Sequence, residues 1–182
     1  MPKPVKLGPQ PGNPTELILN GEIRPNEWQL IPQLEAGEDL DLIALPAGKV
    51  IVPLRQWRDN REAFAARGGE IGVWLDSDEG AELIGEEATE LPLIAVHFPA
   101  FADGRGFTAG RMLRERYGFK GELRAVGGFM RDQLTYLRRC GFNAYAFEGE
   151  QPLASLKNSM SDFGDSYQTG TDQPLPMFRR RF

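Results

Sequence analysis

The stretch LPLIAVHFPAFADGRGFTAGRMLRERYGFKGELRAV, residues 91–126, decides the fold class. Its first eight residues, 91–98, form an almost continuous apolar run, which is typical of a strand covered on both faces. A glycine-containing loop follows, and then a helix predicted over 108–119 and a strand predicted over 122–126. This order of strand, helix and strand predicts a βα unit whose two strands pair in parallel.

The same alternation continues on both sides of this stretch. Further strands are predicted over 49–54, 71–75 and 143–148, and further helices over 55–69, 76–84, 130–142 and 152–163. Gly68 and Gly69 are predicted to end the first of these helices. The sequence therefore predicts an α/β fold with a predominantly parallel sheet of about five βα units, which either stays open or curves into a partial barrel.

The chain ends differ from this central part. Residues 1–14 contain five prolines and two glycines and are predicted to be a disordered lead-in. Residues 15–163 are predicted to form a single α/β domain that opens with a β-hairpin, because Asn20-Gly21 is a favoured tight-turn dipeptide. A short strand is predicted at 42–45, and residues 164–182 are predicted to be an extended C-terminal arm.

Composition excludes several classes of protein. No stretch of about 18 apolar residues occurs, so we expect no membrane span, and the first residues lack the apolar region of a secretory signal. The single cysteine, Cys140, excludes an internal disulfide and a cysteine metal cluster. A pI near 5.1 without a recognisable binding motif argues against nucleic acid. We therefore expect a cytoplasmic protein.

Charge is distributed unevenly along the chain. Residues 103–140 contain nine basic and four acidic side chains, although the whole chain has a net charge of −5. Residues 76–90 contain seven acidic side chains and no basic one. Separated fields of this kind steer partners and ligands. The alternative is that the acidic and basic segments are solvated helix faces whose opposite charges attract one another across the surface of the same molecule.

Two glycine-rich turns are the candidate ligand site. In parallel α/β folds, ligands bind at the carboxyl edge of the sheet, where strands meet helices. Glycine lets backbone N–H groups approach an anion, and arginine adds a forked charged donor. The predicted anion-binding residues are Asp103, Gly104, Arg105, Gly106, Gly127, Gly128, Asp132 and Gln133. The alternative is that the glycines only shape tight turns and that Arg105 pairs with Asp103.

Other polar residues have structural interpretations. We expect His97 to be a hydrogen-bonded core residue, Cys140 to be a packed small side chain, and Asp132 to favour a helix-capping position. Arg124 lies inside a predicted strand and needs a partner, for which Glu122 and Asp132 are the candidates. The sequence assigns no catalytic residue, no metal site and no cofactor, and it decides neither for nor against an enzyme.

Four separated motifs carry a family resemblance: DGRGF at 103–107, GELRA at 121–125, DQ at 132–133 and RCGF at 139–142. The chain resembles, over roughly residues 40–168, an uncharacterised bacterial family described as an oxidoreductase involved in sulfite reduction. The resemblance implies a place beside the sulfite reductase haemoprotein in cytoplasmic sulfur assimilation. It does not imply a demonstrated activity.

Two functions follow as expectations. The first is an accessory protein of assimilatory sulfite reduction that docks on sulfite reductase or its electron donor through charged faces. The second is an oxidoreductase that binds an anionic ligand or a flavin, whose phosphate would rest on residues 104–106. A homo-oligomer that exchanges its C-terminal arm is a third option.

Overall fold

The fold comes from a computed structural model that describes residues 11–34, 38, 40–67, 70–100, 102–160 and 169–180. The elements in chain order are β1 (Glu16–Leu19), β2 (Glu22–Pro25), β3 (Trp28–Leu30), β4 (Lys49–Pro53), α1 (Leu54–Asp59), α2 (Arg61–Ala66), β5 (Ile71–Leu75), β6 (Leu93–Phe98), α3 (Arg105–Glu115), β7 (Glu122–Gly127), α4 (Leu134–Arg139), β8 (Ala144–Phe147) and α5 (Leu153–Ser159). Four 3₁₀ helices span Ala81–Leu83, Gly85–Glu90, Arg131–Gln133 and Met177–Arg179. Most of the predicted lead-in, the stop at Gly68-Gly69 and the start of the predicted arm lie outside the described residues.

The described strands form one sheet in the order β2-β1-β8-β7-β6-β5-β4-β3. The six strands from β3 to β8 run parallel, and each pairs with the next in sequence. β1 pairs antiparallel with both β2 and β8. The sheet is therefore mixed, because the predicted N-terminal hairpin joins it as two of its strands.

The prediction of a predominantly parallel sheet of about five βα units was too simple. The sheet includes the antiparallel hairpin, and β3 leads to β4 without a helix in the described part of that connection. β5 is followed by two 3₁₀ helices rather than by the α-helix predicted over 76–84. Gly85, the first residue of the second 3₁₀ helix, has a φ of +62°, and this left-handed residue separates the two short helices.

The sheet is open but strongly curled. β2 and β3 lie at its two edges, yet only Asn26 and Glu27 separate them in sequence. A two-residue link spans about 10 Å, whereas a flat sheet of this many strands would be about 34 Å wide. The sheet must therefore curl until its edges come near one another. Of the two predicted shapes, an open sheet and a partial barrel, the structure has the partial barrel.

The curl gives the sheet two different faces. On the outer face the helices pack against alternate strand residues, which include Val52, Val73, Val96 and Leu123. The inner face is filled by its own side chains, and they are Leu17, Leu30, Ile51, Trp74, Leu93, Ala95, Val126, Ala144 and Ala146. Trp74 crosses this interior, since its Nε1 donates a 2.9 Å hydrogen bond to the carbonyl of Ile31.

One smaller prediction was wrong for an identifiable reason. No strand forms at 42–45, because the carboxylate of Asp41 accepts hydrogen bonds from the backbone N–H groups of Ile43 and Ala44, and Ile43 is 96% exposed.

Among the described helices, none is long and apolar enough to cross a membrane.

Candidate functional site

The predicted site residues gather at the carboxyl edge of the parallel strands. Residues 103–106 follow β6 and lead into α3, and Gly127 and Gly128 end β7, the strand beside β6. The two turns touch, because the backbone N–H of Gly128 donates a 2.7 Å hydrogen bond to the carbonyl of Phe98. The structure therefore places both glycine-rich turns on one side of the molecule.

Arg105 is held by its own loop. Its Nε and Nη2 donate to the two carboxylate oxygens of Asp103, at 3.0 and 2.6 Å. Nη2 also donates a 3.0 Å hydrogen bond to the hydroxyl of Ser77, which follows β5. The contact predicted as the alternative, in which Arg105 pairs with Asp103, is therefore the observed one, although 62% of the Arg105 side chain remains exposed. Anion binding by Arg105 stays a prediction.

This ion pair predicts an acid titration. The Arg105 guanidinium holds the pKa of Asp103 at about 2, below its ordinary value of 3.8. The pair therefore stabilises the fold fully above pH 3.8, and that contribution is lost as the pH falls through about 2. We expect Arg105→Gln to return the pKa of Asp103 toward 3.8, as measured by carbon-detected NMR of the side-chain carboxyls.

Ser77→Ala is the matched control for this titration, because the Ser77 hydroxyl contributes least to the lowered pKa of Asp103. It should leave the titration of Asp103 nearly where it is in the parent protein. If Arg105→Gln leaves the pKa of Asp103 at about 2, the ion pair is not its cause.

The site glycines have packing reasons of their own. A β-carbon on Gly106 would lie 2.6 Å from the ring of Phe98, so this glycine lets α3 approach β6 closely. Gly127 has a φ of +101°, and a β-carbon there would lie 2.4 Å from the carbonyl oxygen of Phe98. Gly128 differs, since its nearest contacts would be at ordinary distances of 3.6 Å.

Asp132 and Gln133 lie in the 3₁₀ helix that precedes α4. The side-chain oxygen of Gln133 accepts a 2.9 Å hydrogen bond from the backbone N–H of Met130, which is a capping contact. Asp132 is exposed in the same first turn. Met130 itself is 51% exposed. The structure thus gives Gln133, rather than Asp132, the observed capping contact.

A carboxylate–imidazole pair at this edge was missed. Nδ1 of His97 lies 3.0 Å from Oδ1 of Asp76, and His97 is 1% exposed. The edge of the imidazole ring faces Trp74, with 5.8 Å between ring centroids. The pKa of Asp76 is lowered, first by this contact with His97. The sequence positions of the two residues could have predicted this pair, because Asp76 directly follows one predicted buried strand and His97 lies near the end of the next.

The surroundings of this pair are acidic. The pKa of Arg105 is raised, first by the hydrogen bonds that it donates to Asp103, and then by the negative charges of Asp103, Asp78 and Asp76. Burial raises the pKa of Glu79, and its carboxylate accepts a 2.8 Å hydrogen bond from the backbone N–H of Asp76. Carboxylates therefore outnumber guanidinium groups at this part of the edge.

Several arginines of the basic segment serve the fold. Arg114 donates to the carbonyls of Phe119, Gly121 and Gly141, at 2.8 to 3.0 Å. Arg124 is 2% exposed, and its Nε donates a 2.7 Å hydrogen bond to Glu122, as predicted. Two of the nine basic side chains of residues 103–140 are therefore used inside the molecule.

A smaller set of residues remains on the outer surface, and we call it the aromatic–arginine surface: Phe107 and Arg111 on α3, and Tyr136 and Arg139 on α4. The rings of Phe107 and Tyr136 are 4.8 Å apart, and Tyr136 is 53% exposed. Arg111 and Arg139 both act electrostatically on the Tyr136 hydroxyl. Arg111 also pairs with Glu115 one turn along α3, at 3.0 Å. Residue spacing alone did not predict this surface.

Two further findings concern metals and relatives. The described residues contain no group of three or more histidine, cysteine, aspartate or glutamate side chains that could hold a metal ion. A family model described as a bacterial protein of unknown function, DUF934, matches residues 72–178, which covers more than half of the chain. No curated protein matches the sequence.

Proposed function

We propose that this chain, which belongs to the bacterial protein family of unknown function DUF934, is an accessory protein of assimilatory sulfite reduction. In this proposal it docks on sulfite reductase or on its electron donor. The setting rests on the sequence resemblance described above. The docking rests on one observation, which is the exposed ring of Tyr136 in contact with Phe107, with Arg111 and Arg139 near enough to act electrostatically on its hydroxyl.

The composition of this surface supports docking. Tyrosine and arginine are enriched where protein interfaces concentrate their binding energy. A tyrosine ring that already stacks on Phe107 loses little side-chain freedom when a partner covers it. Arg111 and Arg139 favour a partner whose surface is acidic.

Two single substitutions test the docking. We expect Tyr136→Ala and Arg111→Ala each to weaken capture of the sulfite reductase haemoprotein by at least about tenfold, which is the loss of one central interface residue. The measurement is a pull-down with purified haemoprotein at low and at high salt. Capture by the parent protein should fall as salt rises, because the contact is partly electrostatic.

Arg55→Ala is the matched control. Arg55 also forms an exposed i,i+4 ion pair, with Asp59 on α1, and its side chain is 54% exposed against 50% for Arg111. It should leave capture unchanged. No association at low salt, or equal losses for Arg55→Ala and Arg111→Ala, would remove the proposal. Self-association seen by sizing would instead point to a homo-oligomer.

A second candidate is the anionic-ligand or flavin-binding oxidoreductase. The observation that favours it is the exposed Arg105 guanidinium at the first turn of α3, at the carboxyl edge of the parallel strands. Its test is the absorbance spectrum of the native protein together with thermal shifts on adding flavin mononucleotide or phosphate. A colourless protein with no thermal shift would remove this candidate.

A further inference from the structure

The Nε2 atom of His97 is a buried polar atom that has no hydrogen-bond partner among the described residues. A buried polar atom without a partner costs about 1–3 kcal/mol. Most such atoms in folded proteins are paired, so an exception calls for an explanation. Here the other ring nitrogen, Nδ1, is already fixed by Asp76.

The pairing with Asp76 determines what Nε2 can do. The pKa of Asp76 is lowered, so its carboxylate is ionised at neutral pH and can only accept a hydrogen bond. The proton of a neutral imidazole must then lie on Nδ1, between the two groups. Nε2 is left with its lone pair and can accept a hydrogen bond from a donor.

Charge around the pair selects the donor. The charged groups at this part of the edge are the four carboxylates of Asp76, Asp78, Glu79 and Asp103 and the two guanidinium groups of Arg58 and Arg105. Their sum is negative, which favours a cation over an anion. A metal ion is a poor fit, because no cluster of three ligating side chains occurs in the described part of the chain.

We propose that His97 and Asp76 form a binding site for a small primary amine at the carboxyl edge of the curled sheet. The protonated amine donates one N–H to Nε2 of His97, and the carboxylates of Asp76 and Asp103 balance its charge. This site is separate from the aromatic–arginine surface, which lies on α3 and α4.

Access to Nε2 involves the glycine turn. A β-carbon at Gly127 would lie 3.1 Å from Nε2, so this turn covers the ring edge that carries the lone pair. Because His97 is 1% exposed, the amine must displace the turn in order to bind. The backbone amides of Gly127 and Gly128 should therefore report binding.

NMR of protein labelled with ¹⁵N-histidine tests the site, because the chain has one histidine and a protein without a polyhistidine tag gives one pair of ring signals. We expect the neutral ring to carry its proton on Nδ1 and not on Nε2. Methylammonium should shift the Nε2 signal saturably, together with the amides of Gly127 and Gly128. Acetate and phosphate at equal ionic strength should not.

His97→Asn is the matched variant. The side-chain amide of asparagine can still donate to Asp76 but offers nothing at the position of Nε2. We expect methylammonium to bind this variant about tenfold or more weakly, which is the loss of one hydrogen bond to a charged group. Docking on sulfite reductase should be unchanged.

The other outcomes separate the proposals. A proton on Nε2 at neutral pH, or no response to methylammonium, overturns the amine site. A saturable response to phosphate or acetate in place of methylammonium also overturns it, and supports the anionic-ligand candidate. Unchanged amine binding in His97→Asn shows that the amine binds elsewhere and overturns the assignment to His97.

Discussion

Gly127→Ala is expected to lower the free energy of unfolding by about 3 kcal/mol, the combined cost of a strained backbone and an overpacked contact. Gly127 has a φ of +101°, a conformation that a residue with a β-carbon rarely adopts. The new β-carbon would also lie 2.4 Å from the backbone oxygen of Phe98. Because that oxygen belongs to β6, in the middle of the sheet, it cannot move aside cheaply. Urea unfolding followed by tryptophan fluorescence measures the loss.

Gly128→Ala is the matched control for this prediction. Its β-carbon would meet the carbonyl oxygens of Phe98 and Pro99 at 3.6 Å, which is ordinary contact. The free energy of unfolding should change by no more than about 0.5 kcal/mol. Equal losses for the two variants would mean that the tight approach of β7 to β6 is not what requires glycine.

The comparison of these two glycines shows what sequence pattern can and cannot predict here. The alternation of apolar runs and helical segments placed a turn at 127–128, and the strand predicted over 71–75 is confirmed as β5. Nothing in the pair Gly127-Gly128 distinguishes its members. The difference arises from the distance to Phe98, which only the packed sheet fixes.

Local pattern failed where long-range contacts decided the structure. The sequence predicted a hairpin around Asn20-Gly21. The placement of β2 and β3 at opposite edges of the sheet follows only from the closure of the whole sheet. Asp76 was predicted to begin a helix over 76–84, whereas its carboxylate contacts His97, on the neighbouring strand. Predicting that pair required knowing that β5 and β6 are adjacent and parallel.

Short-range ion pairs were predictable because spacing alone brings their members together. Arg124 and Glu122 are two residues apart on one strand, so their side chains point to the same face. Asp103 and Arg105 meet across the first turn of α3 in the same way. In contrast, the second partner of Arg124, which is Asn26, lies 98 residues away and was not predicted.

Arg124→Ala is expected to lower the free energy of unfolding by about 3–5 kcal/mol, as when one member of a buried ion pair is removed. Arg124 lies on β7, and its Nη1 donates a 2.9 Å hydrogen bond to Asn26, in the link between the two edge strands. The side chains of Arg124 and Glu122 are 3% and 15% exposed. The substitution therefore leaves a partly buried carboxylate without its partner and removes the hydrogen bond that ties β7 to the link between the edge strands. Urea unfolding measures the loss, with Arg111→Ala as the exposed ion-pair control.

The double variant Arg124→Leu with Glu122→Leu tests which of two causes destabilises Arg124→Ala, the unpaired charge of Glu122 or the lost hydrogen bond to Asn26. Replacing a buried ion pair by apolar side chains of similar size is often neutral or stabilising. If the stranded charge of Glu122 causes most of the loss, the double variant should recover most of the stability that Arg124→Ala removes. If the bond to Asn26 matters more, the double variant should stay as unstable as Arg124→Ala, because it lacks that donor as well. A loss for Arg124→Ala no larger than that for Arg111→Ala would contradict both explanations, since the curled sheet would then not depend on this residue.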